Sequence, residues 1–159
     1  MKIDYLTNHP EKIKDVSRMI FHAFVLESGS EKTFDEVVEY FSYTKQRKLP
    51  ITLVALENGD CVGTVSLFEH DLEGRENYTP WLASLYTPPE HRGRGIGQEL
   101  VGKTVKVCSD LGFDSVFLRT EDASEYYKRR GWTFVETVSD KRNDRIDVFK
   151  IRCNKQDAL

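Results

Sequence analysis

The residues best suited to chemistry fall in one run, Arg92-Gly93-Arg94-Gly95-Ile96-Gly97-Gln98. Three glycines interleaved with two arginines let the backbone curl and let a ligand approach it closely. A strand-like apolar run, Trp81 to Thr87, leads towards this turn, and a helical pattern opens directly behind it. The start of a helix leaves N–H groups without partners and carries the positive end of the helix dipole. Such a place suits a phosphate or pyrophosphate. Arg92 and Arg94 add cationic charge beside it.

Two familiar phosphate motifs overlap the run, and neither has its context. A dinucleotide fingerprint needs a third glycine where Gln98 stands, and an acidic residue about 20 positions further on. Gly97-Gln98-Glu99-Leu100-Val101-Gly102-Lys103-Thr104 spells the P-loop pattern letter for letter. A P-loop, however, needs its middle residues as a non-helical cradle. Here Ile96, Leu100, Thr104, Val107, Cys108 and Leu111 recur at helical spacing, which puts Lys103 and Thr104 inside a helix.

The whole segment resembles a third pattern. Arg92 to Gly97 fits Gln/Arg-x-x-Gly-x-Gly/Ala, the acetyl-CoA pyrophosphate motif of the GNAT family of N-acetyltransferases. Downstream, Ala123-Ser124-Glu125-Tyr126-Tyr127-Lys128-Arg129-Arg130-Gly131-Trp132 is similar to that family's second signature, Ala-x-x-Phe/Tyr-Tyr-x-x-x-Gly-Phe/Trp. The two stand in the family's order and at its separation, and Trp81 to Tyr86 resembles its fourth strand. The resemblance implies an α/β fold with one mixed sheet, in the order β-α-α-β-β-β-α-β-α-β-β. It also implies acetyl transfer from acetyl-CoA to an amine of a small molecule or peptide by direct attack.

The resemblance assigns roles residue by residue. Leu85, Tyr86 and Thr87 would meet the pantetheine arm, with a backbone N–H near Leu85 as the oxyanion donor. Arg92, Gly93, Arg94, Gly95, Ile96, Gly97 and Gln98 would hold the pyrophosphate. Tyr127 stands where the family places the proton donor to the leaving thiolate; a phenol of pKa about 10 is protonated at neutral pH. Tyr126 points about 100° away around the same helix and reads as core. Thr120 occupies a position where many relatives carry an Asn on the pantetheine arm, and a hydroxyl can substitute. The acceptor amine must arrive neutral, which calls for a base. Many relatives use a Glu on or near the fourth strand, where this chain has Ala83 and Ser84. Glu69, Asp71 and Glu121 are the candidate carboxylates, with His70 the other titratable group. The missing Glu keeps open a chain that binds acetyl-CoA and transfers nothing. The acceptor is expected among Glu27 to Lys32, Glu69 to Thr79 and Trp132 to Asp144; Glu27, Glu31, Glu69, Asp71 and Glu73 make the first two acidic, which would suit a cationic amine.

Composition bounds the rest. A chain of 159 residues suits a single domain, here 1–159, with one good core. It is 39% hydrophobic and 31% charged, as folded globular chains are. A net charge of −3 gives no bulk drive towards nucleic acid. No apolar run reaches membrane-spanning length, and the N-terminus has no signal-peptide core, so the expectation is cytoplasmic. Cys61, Cys108 and Cys153 lack paired metal spacing and read as reduced, buried thiols, with no metal site. The partners expected are acetyl-CoA and an amine acceptor, without nucleic acid or membrane, and with homodimerisation left open.

The elements that must position these residues follow from pattern and punctuation. Ile3 to Leu6 reads as a strand, and Asn8-His9-Pro10 as the start of a helix running to about Leu26. Thr33-Phe34-Asp35-Glu36 is a capping box for a second helix. Ile51 to Leu56 and Cys61 to Phe68 form a hairpin about Asn58-Gly59-Asp60. Glu69 to Thr79 is a polar loop. After the glycine turn and its helix come a strand from Ser115 to Thr120 and a helix opened by Asp122 to Glu125. Gly131 caps that helix, and Trp132 to Val138 with Ile146 to Arg152 closes the sheet.

Overall fold

The computed structural model describes residues 1–153. Its strands are β1 (Lys2–Tyr5), β2 (Ile51–Glu57), β3 (Asp60–Phe68), β4 (Trp81–Tyr86), β5 (Ser115–Thr120), β6 (Thr133–Ser139) and β7 (Arg145–Arg152). Its α-helices are α1 (Ile13–Ile20), α2 (Phe34–Ser42), α3 (Ile96–Asp110) and α4 (Ser124–Arg129). The element order is the one the sequence leads one to expect. The strands hydrogen-bond in the order β1-β2-β3-β4-β5-β7-β6, with β4 and β5 parallel and β1/β2, β2/β3, β5/β7 and β6/β7 antiparallel. Two compact units can be distinguished: Met1–Leu67 with Ser84–Thr104, and Phe68–Ala83 with the chain from Val105.

The first unit is built on local signals. Asn58 (φ 53°) and Gly59 (φ 83°) both lie in the left-handed region, the turn that suits the twist of a two-residue hairpin. The capping box forms: Glu36 N–H donates to Thr33 Oγ1 (3.1 Å) and Thr33 N–H to Glu36 Oε1 (2.8 Å). Leu6, Val16, Ile20, Val37, Phe41 and Val54 bury one face of each helix against the strands. In β3, a Cβ at Gly63 would lie 3.0 Å from both Ile96 Cγ2 and Leu100 Cδ1, so the bare backbone lets the first turns of α3 sit close.

The first helix departs from expectation. The segment expected from His9 to Leu26 is a short 3-10 turn at Pro10–Lys12, then α1, then a π turn at Phe21–Val25. His9 and Asn8 give their side chains to Asp4 instead of capping a helix. At the far end Leu26 N–H reaches back five residues to Phe21 C=O (3.0 Å). Nothing in the spacing of the apolar residues marks that extra residue.

In the second unit, β5, β7 and β6 pair around Trp81, Val148 and Leu72, with a register shift between Phe134 and Glu136 in β6. The polar loop before β4 is tied down. Arg75 donates to both oxygens of Glu136 (2.7 and 2.9 Å), and the Tyr78 ring stacks on Phe117 at 4.7 Å. Two local expectations are corrected here. Asp122 does not cap α4; Thr120 Oγ1 accepts from Ala123 N–H (3.0 Å), and Ser124 donates to Asp147 (2.6 Å). Tyr126 is only half-buried, beneath the Arg130 guanidinium at 3.6 Å, because the short α4 turns Tyr127 towards Trp132 and Phe149 instead.

The cysteine expectation is also corrected. Cys108 and Cys153 form a disulfide, with Cα atoms 6.0 Å apart and 45 residues between them in sequence. The disulfide ties the residue after β7 to the last turn of α3, and Cys153 N–H donates to the C=O of Asp114, the residue before β5 (2.8 Å). Cys61 alone remains a buried thiol, pushed up to about 11 by burial.

Candidate functional site

The glycine turn lies wholly in the first unit. β4 is distorted at Ser84, a non-glycine residue at φ 53° in mid-strand, directly before Leu85. An L-residue held there costs free energy and breaks the alternation of the strand, as bulges do. Leu85, Tyr86 and Thr87 follow, all half-buried. A 3-10 turn at Pro89–His91, set by two prolines, then leads into Arg92. Gly93 (φ 79°) and Gly95 (φ 81°) take the left-handed conformation that glycine alone adopts cheaply. The first bond closing α3 runs from Glu99 N–H to Gly95 C=O (3.1 Å). The amides of Ile96, Gly97 and Gln98 therefore precede the ladder and face outward from the helix start.

The turn fits a pyrophosphate. A Cβ at Gly93 or Gly95 would meet no atom within 4 Å, and one at Gly97 would meet only Thr87 Oγ1, at 3.9 Å. Bare backbone thus borders open space on the side of the helix dipole that attracts anions. Ile96 is 2% exposed, so only its backbone can serve a ligand; Gln98 is exposed. The two arginines differ. Arg92 Nε donates to Thr87 C=O (2.7 Å), and its guanidinium lies 5.5 Å from the centre of the Tyr86 ring. Neither partner is anionic. Arg94 Nη2 donates to both oxygens of Glu57 (2.7 and 2.6 Å), and its Nη1 lies 3.1 Å from His91 Nδ1. Glu57 was not foreseen as part of the turn. That guanidinium holds its carboxyl below the usual carboxylate range.

The P-loop look-alike is helix. Thr104 is 2% exposed and returns its hydroxyl to Leu100 C=O (2.8 Å), in the interior of α3.

The second unit carries the titratable candidates. Tyr127 makes edge contacts with Trp132 (5.9 Å) and Tyr126 (5.1 Å). Burial, chiefly, raises its phenol above the ordinary value, so it keeps its proton at neutral pH. Among the described residues its hydroxyl has no hydrogen-bond partner. Thr120, on β5, accepts from Ala123 N–H as described above. Of the carboxylates, Glu69 is exposed and paired with His70 (3.3 Å). Glu121 is exposed, with carboxyl oxygens of Asp140 and Asp144 within 4.8 Å. Asp71 differs from both: burial lifts its carboxyl to about 6, and nearby Arg119, bonded to the Asp71 C=O (3.0 Å), only partly offsets this. Sequence spacing had given no reason to separate Asp71 from Glu69.

No helix among the described residues is long and apolar enough to cross a membrane. The model of the acetyltransferase (GNAT) family matches residues 15–132. The chain is 24% identical over 161 residues to "N-alpha-acetyltransferase MAK3" of Arabidopsis thaliana, covering 79% of this chain and 83% of that protein. It is also similar to an aminoglycoside 6'-N-acetyltransferase in complex with coenzyme A, with TM-score 0.77, 16% identity and 97% and 98% of the two chains covered. A third similar structure is YncA, a putative acetyltransferase from Salmonella typhimurium with its cofactor acetyl-CoA, with TM-score 0.73, 18% identity and 97% and 94% covered. The distorted strand, the glycine turn and the family match agree: the chain belongs to the acetyltransferase (GNAT) family, as an N-acetyltransferase with acetyl-CoA as its co-substrate.

Proposed function

We propose that this chain acetylates an amine of a small molecule or peptide by direct attack, with Tyr127 as proton donor and Asp71 as base. The observation that carries the reading is the run from Ser84 to Gly97, a strand distorted directly before Leu85 and followed by glycines whose bare backbone borders open space at a helix start. Acetyl-CoA supplies a thioester whose C–S bond breaks as the acceptor's C–N bond forms. The amides from Gly93 to Gln98 grip its pyrophosphate, and the Leu85 N–H is the oxyanion donor. Tyr127 holds a proton at its hydroxyl for the departing sulfur and regains it from solvent. Asp71 takes a proton from the incoming ammonium. A carboxyl near 6 is half or more ionised at neutral pH and a stronger base than one near 4.

Relatives are named for different acceptors, an aminoglycoside in one case and an N-alpha amine in another. The acceptor class is therefore drawn from this chain: Glu27 and Glu31, exposed between α1 and α2, favour a cationic amine. A thiol-release screen with acetyl-CoA against aminoglycosides, polyamines, lysine and short peptides tests the reading. At least one cationic amine should raise CoA release well above hydrolysis. Tight acetyl-CoA binding with no release for any amine would instead make the chain a sensor of the cofactor.

A further inference from the structure

The pair formed by Glu57 and Arg94 has no place in the chemistry above. Arg94 is the only side chain between two glycines that both sit at left-handed φ. Such a turn has the most conformational freedom to lose when it orders. Glu57 ends β2 and pairs with Asp60 across the Asn58-Gly59 turn, so its carboxylate is mounted on a hairpin of fixed shape. Both its oxygens meet Arg94 Nη2, while Nη1 meets His91 in the proline-set turn. One guanidinium thus links three segments of the same unit: the hairpin, the 3-10 turn and the glycine turn. Its charge is balanced by Glu57. Arg92, held by a carbonyl and a ring face, keeps its charge available.

We propose that Glu57 is a positioning residue for the cofactor turn, holding Arg94, and with it the Gly93–Gly95 backbone, in the shape that receives a pyrophosphate. The inference rests on the reading that this turn binds acetyl-CoA. It has a sharp opposite. If Arg94 had to leave Glu57 to reach the phosphates, Glu57 would compete with the ligand, and its removal would tighten binding.

The test is calorimetric titration of acetyl-CoA into wild type, Glu57→Gln, Arg94→Gln and the double variant. It is paired with kcat and KM for acetyl-CoA and for S-acetylpantetheine, which lacks the pyrophosphate. Glu57→Gln should weaken acetyl-CoA about three- to fivefold, the scale of a partly exposed ion pair that preorganises a site. The loss should appear in KM, with kcat at saturation held within about twofold, and S-acetylpantetheine turnover should not change. The double variant should be no worse than either single one, because both break the same link. Tighter binding in Glu57→Gln, additive losses, or an equal loss with S-acetylpantetheine would each overturn the proposal. Gly97→Val in the same series separates the two layers. If Gly97→Val binds as wild type, the site reading has failed; if it loses binding and Glu57→Gln does not, only the role of Glu57 has failed.

Discussion

Replacing Asp71 with Asn should stabilise the protein while disabling it. The carboxyl sits at about 6, against 3.8 in an unfolded chain, because burial penalises its charged form. At 1.36 kcal/mol per pH unit, that difference, with the attraction of Arg119 already included, makes the ionised carboxylate a liability of about 3 kcal/mol, an upper bound since water reaching the half-buried group relieves part of it. The sign follows from proton binding. The folded state holds this proton more tightly than the unfolded state, so the contribution is most favourable below pH 3.8 and is lost as pH rises through about 6. Asp71→Asn removes that slope. Urea unfolding at pH 4, 5, 6 and 7.5 should show little gain at pH 4 and a gain of about 1–3 kcal/mol at pH 7.5, for roughly 2–10 °C in Tm. Turnover should move the other way, with kcat/KM falling by about 10²-fold or more and the acid limb near pH 6 disappearing from its pH profile. A variant less stable than wild type at every pH would mean that the carboxylate has an ionic partner and that the burial argument is wrong. Stabilisation with unchanged turnover and an unchanged acid limb would remove Asp71 from the chemistry.

Tyr127→Phe keeps the ring contacts with Trp132 and Phe149 and removes only the hydroxyl. Turnover should fall by up to about 10²-fold, with acetyl-CoA affinity from the same preparation changed by less than about twofold; equal turnover would make Tyr127 a packing residue. Lys103→Ala should leave acetyl-CoA affinity unchanged, because Lys103 lies beyond the first turn of α3, next to the buried Thr104. Lost acetyl-CoA binding in that variant, or tight ATP binding by wild type, would restore the P-loop reading.

What could be read from the sequence was local. The Thr33 capping box, the Asn58-Gly59 hairpin and the buried face from Ile96 to Cys108 each rest on a few neighbouring residues, and each is observed. The glycine turn was legible for the same reason, as was the false P-loop, since helical spacing excludes a cradle. What stayed hidden depends on residues distant in sequence. Glu57 reaches Arg94 across 37 positions, and Arg75 reaches Glu136 across 61. Cys108 and Cys153 meet only because the ends of α3 and β7 converge. Asp71 separates from Glu69 through burial that neither neighbour announces. The φ of Ser84 and the π turn at Phe21–Val25 have no residue-type signature, since both positions carry ordinary residues.

The central claim is that the bare backbone of the glycine turn receives acetyl-CoA, and Gly97 tests it most directly. Unlike Gly93 and Gly95, Gly97 is not at positive φ, so a side chain there does not strain the turn. Its Cβ would have only Thr87 Oγ1 nearby, at 3.9 Å, so Gly97→Val should fold with a Tm close to wild type. The added branches would occupy the space in front of the helix-start amides. Titration of acetyl-CoA into Gly97→Val should show affinity reduced by more than about tenfold, over about 1.4 kcal/mol. An unchanged Kd in a folded Gly97→Val protein would contradict the account.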